Sequence, residues 1–350
     1  MKKNILYIIV LFLSAGFFSS CNPKDPSIGD NELDNYYFVK VGDEALPVRV
    51  TGNINSDIAV IFIHGGPGGT AQTERQNTYW NAIERNYKVV YYDQRGGGLS
   101  QGNTKPEEMS LEQFSKDLDA VVEFTRQVSR ANTIFLHGIS WGGGVGTYYL
   151  TDTAHQRKIN GFIAECPAYN LVGGIALSRQ WIMNFADSMI SINNSVNFWQ
   201  SAKNYYLAHP QITSDIFPQH LKYLNQAKGV VYNTTALDNQ NISIPRGELD
   251  AAYKNQLYTI NNLVYQNRSV FESLDLTPLL HSINIPVLLV WGDHDGLLPK
   301  NNLAAVFAAE IGAPYITYHP GDFQNSAHLP HGEEATLMQN NVTAFIEAHK

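Results

Sequence analysis

Gly138-Ile139-Ser140-Trp141-Gly142 is the stretch on which the reading of this 350-residue chain turns. An apolar run with strand character, Thr133–Leu136, precedes it, and a helical run, Gly143–Leu150, follows. A strand that passes into a helix through one tight turn leaves no room for side chains two residues either side of its apex. Glycines at 138 and 142 meet that demand, and Ser140 between them projects its hydroxyl from the end of the strand. Ser140 is therefore the candidate nucleophile. A glycine-rich turn without chemistry shares the bare pattern; the strand before it and the helix after it favour the chemical reading.

Outward from this turn, strands alternate with helices. Upstream, Tyr36–Val41 and Leu46–Thr51 alternate polar and apolar residues as a hairpin does. Ile58–Ile63 and Tyr87–Tyr92 are apolar runs suited to strands buried on both faces, with a helix expected over Glu74–Arg85 between them. Ser110-Leu111-Glu112-Gln113 has the form of a capping box and should open a helix lasting to about Arg130. Downstream, Ile159–Ala164, Val287–Trp291 and Tyr315–Tyr318 read as strands, and Asn302–Glu310 and Glu334–His349 as helices. The pattern predicts an α/β fold, a mostly parallel central sheet with helices on both faces. From Tyr169 to Asn284 the alternation stops. That stretch, 169–284, has helix-like patches at Val196–Leu207 and Glu248–Tyr265 and is expected to form a mainly helical cap. The core would then comprise 36–168 and 285–350.

A serine hydroxyl needs a base and an orienting acid before it attacks a carbonyl. Asp295, in Gly292-Asp293-His294-Asp295-Gly296, follows the strand Val287–Trp291. His328 lies in the loop after Tyr315–Tyr318, with His331 close behind. Asp295 and His328 are the candidate acid and base, in the chain order Ser, acid, His that strand–turn–helix serine sites use. Glu165, ending the strand Ile159–Ala164, is the alternative acid. His64-Gly65-Gly66-Pro67-Gly68-Gly69 follows a buried strand, and its glycines let backbone amides approach a developing oxyanion. The N–H groups of Gly66 and Trp141 are assigned to that hole, and His64 to packing. The loop lacks the lysine-serine ending and the glycine spacing of a phosphate cradle.

His64–Gly69, Asp93-Gln94-Arg95-Gly96-Gly97-Gly98-Leu99-Ser100 and Gly138–Gly143 together resemble the proline iminopeptidase (prolyl aminopeptidase) branch of the α/β-hydrolase superfamily. The resemblance covers about Tyr36–Tyr169 and Ile285–Lys350. It implies the α/β-hydrolase fold, Asp295 as acid and His328 as base, and a bracing role for the Asp93–Ser100 loop. The cap departs from the family. Where the family carries a tryptophan-glutamate segment that binds the substrate's amine, this chain has Phe198-Trp199-Gln200. Glu248, Glu272 or a cap aspartate would have to supply the carboxylate. Acids and bases balance across the cap, so it draws in no charged substrate. Trp181, Phe185, Phe198, Trp199, Tyr205 and Tyr206 either line an apolar pocket or pack the cap helices.

Lys2 and Lys3, the apolar run Ile5–Phe18 and the small residues before Cys21 have the layout of a secretory signal. The run is shorter than the ~20 residues that span a bilayer. Cys21 after small residues resembles a lipobox, with Phe18 where leucine is usual. The expectation is a lipoprotein signal peptide over 1–20, lipidation at Cys21 and a tether over 21–35. The product would be an exported, membrane-anchored bacterial lipoprotein on the periplasmic or cell-surface side. An ordinary cleaved signal is the alternative. With Cys21 acylated, Cys166 is left without a disulfide partner.

The 24 Lys+Arg against 32 Asp+Glu, without runs of like charge, argue against a nucleic-acid partner. The reading calls for no metal and no cofactor, and for a small-molecule or short-peptide substrate; it sets no oligomeric state. The expected function is a serine hydrolase cleaving an ester or amide of a small substrate through an acyl-enzyme. An aminopeptidase on short peptides and a catalytically silent surface binding protein are the alternatives.

Overall fold

The computed structural model describes residues 32–350, apart from 72, 73, 76, 239–245, 267–271 and 320. The expected signal peptide, Cys21 and the tether up to residue 31 lie outside the described residues.

Among the described residues, eight strands form one sheet in the order β1-β2-β4-β3-β5-β6-β7-β8. They are β1 Glu32–Val41, β2 Glu44–Asn53, β3 Ile58–Ile63, β4 Lys88–Tyr92, β5 Thr133–Ile139, β6 Gly161–Glu165, β7 Val287–Val290 and β8 Ile316–Tyr318. β1 and β2 are antiparallel to each other, β2 runs antiparallel to β4, and all later pairs are parallel. This is the α/β-hydrolase fold. Alternation along β3 explains its wholly apolar sequence: Ile61 and Ile63 enter one core cluster, Val60 and Phe62 the other. The first cluster is closed by α2 Leu111–Ser129 and α3 Trp141–Tyr149, the second by α1 Thr78–Glu84 and a C-terminal helix, Ala335–His349.

Local chemistry moves several boundaries. β1 starts inside the expected tether, because Leu33 packs on the core and Asp34 pairs with Arg49 of β2 at 2.5 Å. α1 starts at Thr78 and not at Glu74, since Asn77 caps it by accepting from the Trp80 N–H at 2.8 Å. Only half of the expected capping box forms at α2. Ser110 accepts from the Gln113 N–H, but the Gln113 side chain turns to Asp117.

The insertion is helical: α4 Thr153–Gln156 still belongs to the core, and then come α5 Leu171–Ser191, α6 Val196–Ala208, α7 Phe217–Gln226, α8 Thr234–Asp238 and α9 Arg246–Ile260. α5, α6 and α7 bury a cluster of their own around Ile182, Trp199, Tyr206 and Leu224. The core takes over again before the expected boundary at 284. Leu274, Leu276, Leu280 and Ile283 join the main cluster, and the Leu276 N–H bonds to the Tyr169 carbonyl at 2.8 Å.

Candidate active site

Ser140 sits between the last residue of β5 and the first of α3 with φ 53° and ψ −121°, a conformation that L-residues rarely adopt. The glycines around it are dictated by backbone. A Cβ on Gly142 would lie 2.0 Å from the Ile63 carbonyl oxygen, and one on Gly138 would lie 2.6 Å from that of Gly142. The turn is tied to the next strand by the Ser140 N–H, which bonds to the Glu165 carbonyl at 3.0 Å.

Asp295 and His328 meet behind the parallel strands that deliver them. The His328 Nδ1 stands 2.8 Å from Asp295 Oδ2, and both side chains are buried. The other oxygen of Asp295 accepts from the N–H groups of Leu297 and Leu298 at 2.9 and 2.8 Å, which fixes the carboxylate's plane. Nδ1 therefore carries the proton, and Nε2 has no hydrogen-bond partner among the described residues. Burial works to lower the pKa of His328, but Asp295, with Glu165 and Glu333, outweighs it and holds the imidazole above its ordinary value. His328 and Ser140 line one cavity of about 440 Å³, together with Gly66 and Glu74 of the core and Tyr253 and Gln256 of α9.

Gly66 has φ 147°, and its neighbour Gly65 lies so close that a Cβ there would meet that of Ser140 at 3.5 Å. Trp141 is the first residue of α3, so its N–H belongs to the set that a helix leaves without an internal acceptor. Trp141 thus adjoins Ser140 in sequence, and Gly66 lines the same cavity as Ser140. Gln94 links the start of the glycine-rich loop to the Trp141 side chain: its Nε2 donates to the His64 carbonyl at 2.7 Å, and its Oε1 accepts from Trp141 Nε1 at 3.0 Å. The Asp93 carboxylate accepts from the Ala71 and Leu99 N–H groups, each at 2.7 Å. The Asp93–Ser100 loop is a brace in hydrogen-bonding terms. His64 is buried, with Nε2 accepting from the Gln94 N–H at 3.0 Å. α9 lies over these loops, with Thr259 donating to the Gly96 carbonyl and Asn255 to that of Gly98.

Glu165 takes no part in the pairing of His328. Its two oxygens contact His137 Nε2 and His331 Nδ1, each at 2.8 Å. Burial would raise its pKa, but His331 and His137 outweigh that and hold it well below the usual carboxylate range. Burial likewise opposes a charge on His331, yet Glu165 and Glu74 lift its pKa to about 10. His331 Nε2 reaches Glu74 Oε2 at 2.9 Å, and Tyr79 closes the inner end on His137 Nδ1 at 3.1 Å. A chain Tyr79–His137–Glu165–His331–Glu74 therefore runs from the core to the cavity wall. Sequence reading missed Glu74, which it had placed in a helix.

The expected cap contributions fall elsewhere. Trp199 and Tyr206 are buried within the cap's own cluster, with Trp181, Phe185 and Tyr205 packed against them, and none of these lines the cavity. Gln200 is exposed and bonds to Asn204, Glu272 is exposed away from the cavity, and the side chain of Glu248 lies outside the described residues. Cys166, Asp295 and His328 have ligand-type atoms within 4.8 Å of one another. Burial, then Asp295 and Glu165, push the Cys166 thiol well up, so it stays protonated and donates to Asp295. A second serine–histidine pair, Ser178 with His220 Nε2 at 2.8 Å, is buried inside the cap, and Ser178 donates to the Gly296 carbonyl.

Residues 55–334 match the model of the family described as "Serine aminopeptidase, S33". The chain is similar to a "Probable aminopeptidase" of Bacillus subtilis, at 24% identity over 89% of this chain and 96% of the relative. A proline iminopeptidase of Levilactobacillus brevis is 30% identical, over 86% of this chain and 92% of its own length. Among solved structures, the proline iminopeptidase of Mycobacterium smegmatis superposes with a TM-score of 0.61 at 19% identity, covering 90% of this chain and 98% of that one.

Proposed function

The chain belongs to the serine aminopeptidase family of α/β-hydrolases, and from that premise we propose that it cleaves an ester or amide of a small substrate through an acyl-enzyme on Ser140. In this scheme the Ser140 hydroxyl attacks the carbonyl carbon while His328 Nε2 takes its proton. Asp295 keeps the opposite ring nitrogen protonated and steadies the imidazolium that forms. The N–H groups of Gly66 and Trp141 meet the oxyanion, helped by the positive end of α3. His328 then protonates the leaving group, and water, activated by the same nitrogen, releases the acid. The observation that carries the proposal is the free Nε2 of His328, whose partner nitrogen is committed to Asp295, in the cavity that Ser140 lines.

The test is labelling by a fluorophosphonate probe and hydrolysis of short-chain aryl esters, in wild type and Ser140→Ala. Alanine suits the turn no worse than serine, so the fold should persist while rate drops by about 10⁶. Labelling that survives in Ser140→Ala would remove the assignment, and a wild type that neither labels nor turns over would point to a silent binding protein. Within the hydrolase class, the named relatives favour aminopeptidase action on short peptides, whereas the cap sequence favours small esters.

We propose also that Cys21 carries a lipid that anchors the exported chain to a membrane. The support is the sequence Lys2–Cys21 itself. Among the described residues no helix is long and apolar enough to cross a membrane.

A further inference from the structure

We infer that Glu74 is the residue by which this cavity chooses its substrate, its carboxylate binding a protonated amine carried on the acyl group. This rests on the reading of Ser140 as nucleophile. Glu74 is the one acid among the described residues lining the cavity that holds Ser140 and His328, and no lysine or arginine lines it. The cap contributes Ala252, Tyr253 and Gln256 there, all uncharged.

The carboxylate is built in rather than loosely placed. Oε2 is held by His331 Nε2 at 2.9 Å, and the His331 side chain is only 3% exposed. His331 is itself fixed by Glu165, and Glu165 by His137. Oε1 of Glu74 has no hydrogen-bond partner among the described residues, while the side chain remains 29% exposed.

Charge along this chain does not cancel. Two carboxylates, those of Glu165 and Glu74, face the single ring of His331, which is held as an imidazolium. His137 is neutral, because burial lowers its pKa. The carboxylates outnumber the imidazolium, and of the two only Glu74 is accessible. An ammonium entering the cavity replaces part of its hydration with a fixed carboxylate, whereas a carboxylate-bearing acyl group meets repulsion. The residue performing this task comes from the core, in the segment after the glycine-rich loop, and not from the cap.

The experiment compares kcat/KM for an alanyl aryl ester with that for the propionyl ester, which differs only in lacking the amine, in wild type and in Glu74→Gln. Glutamine keeps an acceptor for His331 and loses the charge. Intrinsic ester reactivity cancels between the two enzymes, so the alanyl-to-propionyl ratio should fall about 10- to 100-fold in Glu74→Gln. A ratio that stays within about twofold overturns the inference. Should Glu74→Gln fail to fold, wild type alone decides: propylammonium should inhibit competitively and propionate should not, and equal or reversed potencies overturn the assignment. Loss of the serine reading is visible separately, as a wild type that no fluorophosphonate labels.

Discussion

Glu165 is paired with His331 and not with His328: its Oε1 lies 2.8 Å from His331 Nδ1, with both side chains sealed from solvent. The sheet offers two acids near the candidate base, and this contact commits one of them to another partner. Asp295→Asn is therefore expected to cost about 10⁴ in kcat, by releasing the His328 tautomer. Glu165→Gln should act on stability instead, by about 3–5 kcal/mol, because it removes the buried carboxylate that offsets a buried imidazolium. Kinetics and urea melts of the two variants check this; a larger rate loss in Glu165→Gln would reverse the roles.

The same pair makes stability depend on pH. The folded-state pKa of His331 is raised from 6.5 to about 10. Below 6.5 folded and unfolded chains both hold the proton, and the full stabilisation is present. Above it the unfolded chain releases its proton first, so stability falls progressively as pH rises toward 10. Glu165, with its pKa held below the ordinary 4.5, contributes above that value and less as acid protonates it. Melting temperature should thus peak near pH 5–6 and decline toward pH 10, and His331→Gln should flatten the alkaline decline while lowering the peak.

Glycine at 142 and glycine at 42 should respond differently to alanine. At Gly142 the new methyl would meet the Ile63 carbonyl at 2.0 Å, a clash with backbone on a central strand. At Gly42 nothing lies within 4 Å, and only φ 62° opposes the change. Gly42→Ala should cost about 1–2 kcal/mol. Gly142→Ala should exceed that by enough to appear as loss of soluble protein, and thermal melts of the two side by side would show otherwise if they matched.

For the anchor, full-length protein made in a bacterial host should partition into detergent and carry a diacylglyceryl mass on Cys21. Cys21→Ser should move it to the aqueous phase or leave it unprocessed. An unmodified mature N-terminus by mass spectrometry would indicate an ordinary cleaved signal.

The legible part of this molecule was what chain order and local sterics encode. The strands, the glycines at 138 and 142 and the loop carrying His64–Gly69 follow from residues adjacent in sequence, and the sheet brings Asp295 and His328 together because parallel strands end on one edge. Glu74 was not legible, since its meaning depends on His331, 257 residues away. Read locally, Glu74 continues a helix; only the cap at Asn77 shows that the helix begins after it. The cap aromatics had two readings that periodicity could not separate, because a ring facing a neighbouring helix and a ring facing a pocket recur at the same spacing. The end of the insertion was blurred for a related reason: Leu274–Ile283 carries no strand or long helix, and only its packing assigns it to the core.

Besides the bonds of α9 and Ser178, cap and core are stitched along a short seam at residues 229–233. Carbonyls of Gly229 and Val230 accept from the N–H groups of Gly296 and His328, at 2.8 and 3.1 Å. Glu333 gathers the N–H groups of Tyr232, Asn233 and Ala327, and Tyr232 stacks on His294 at 3.6 Å between ring centres. The insertion is therefore a splint for the loops on either side of the acid and base, as well as a roof. A graft that exchanged the whole insertion for that of a relative would unmoor both loops unless it carried residues 229–233 with it. The insertion thus loads its mechanical duty on one end: the outer faces of α5, α6 and α7 carry none of these contacts, whereas residues 229–233 carry them all.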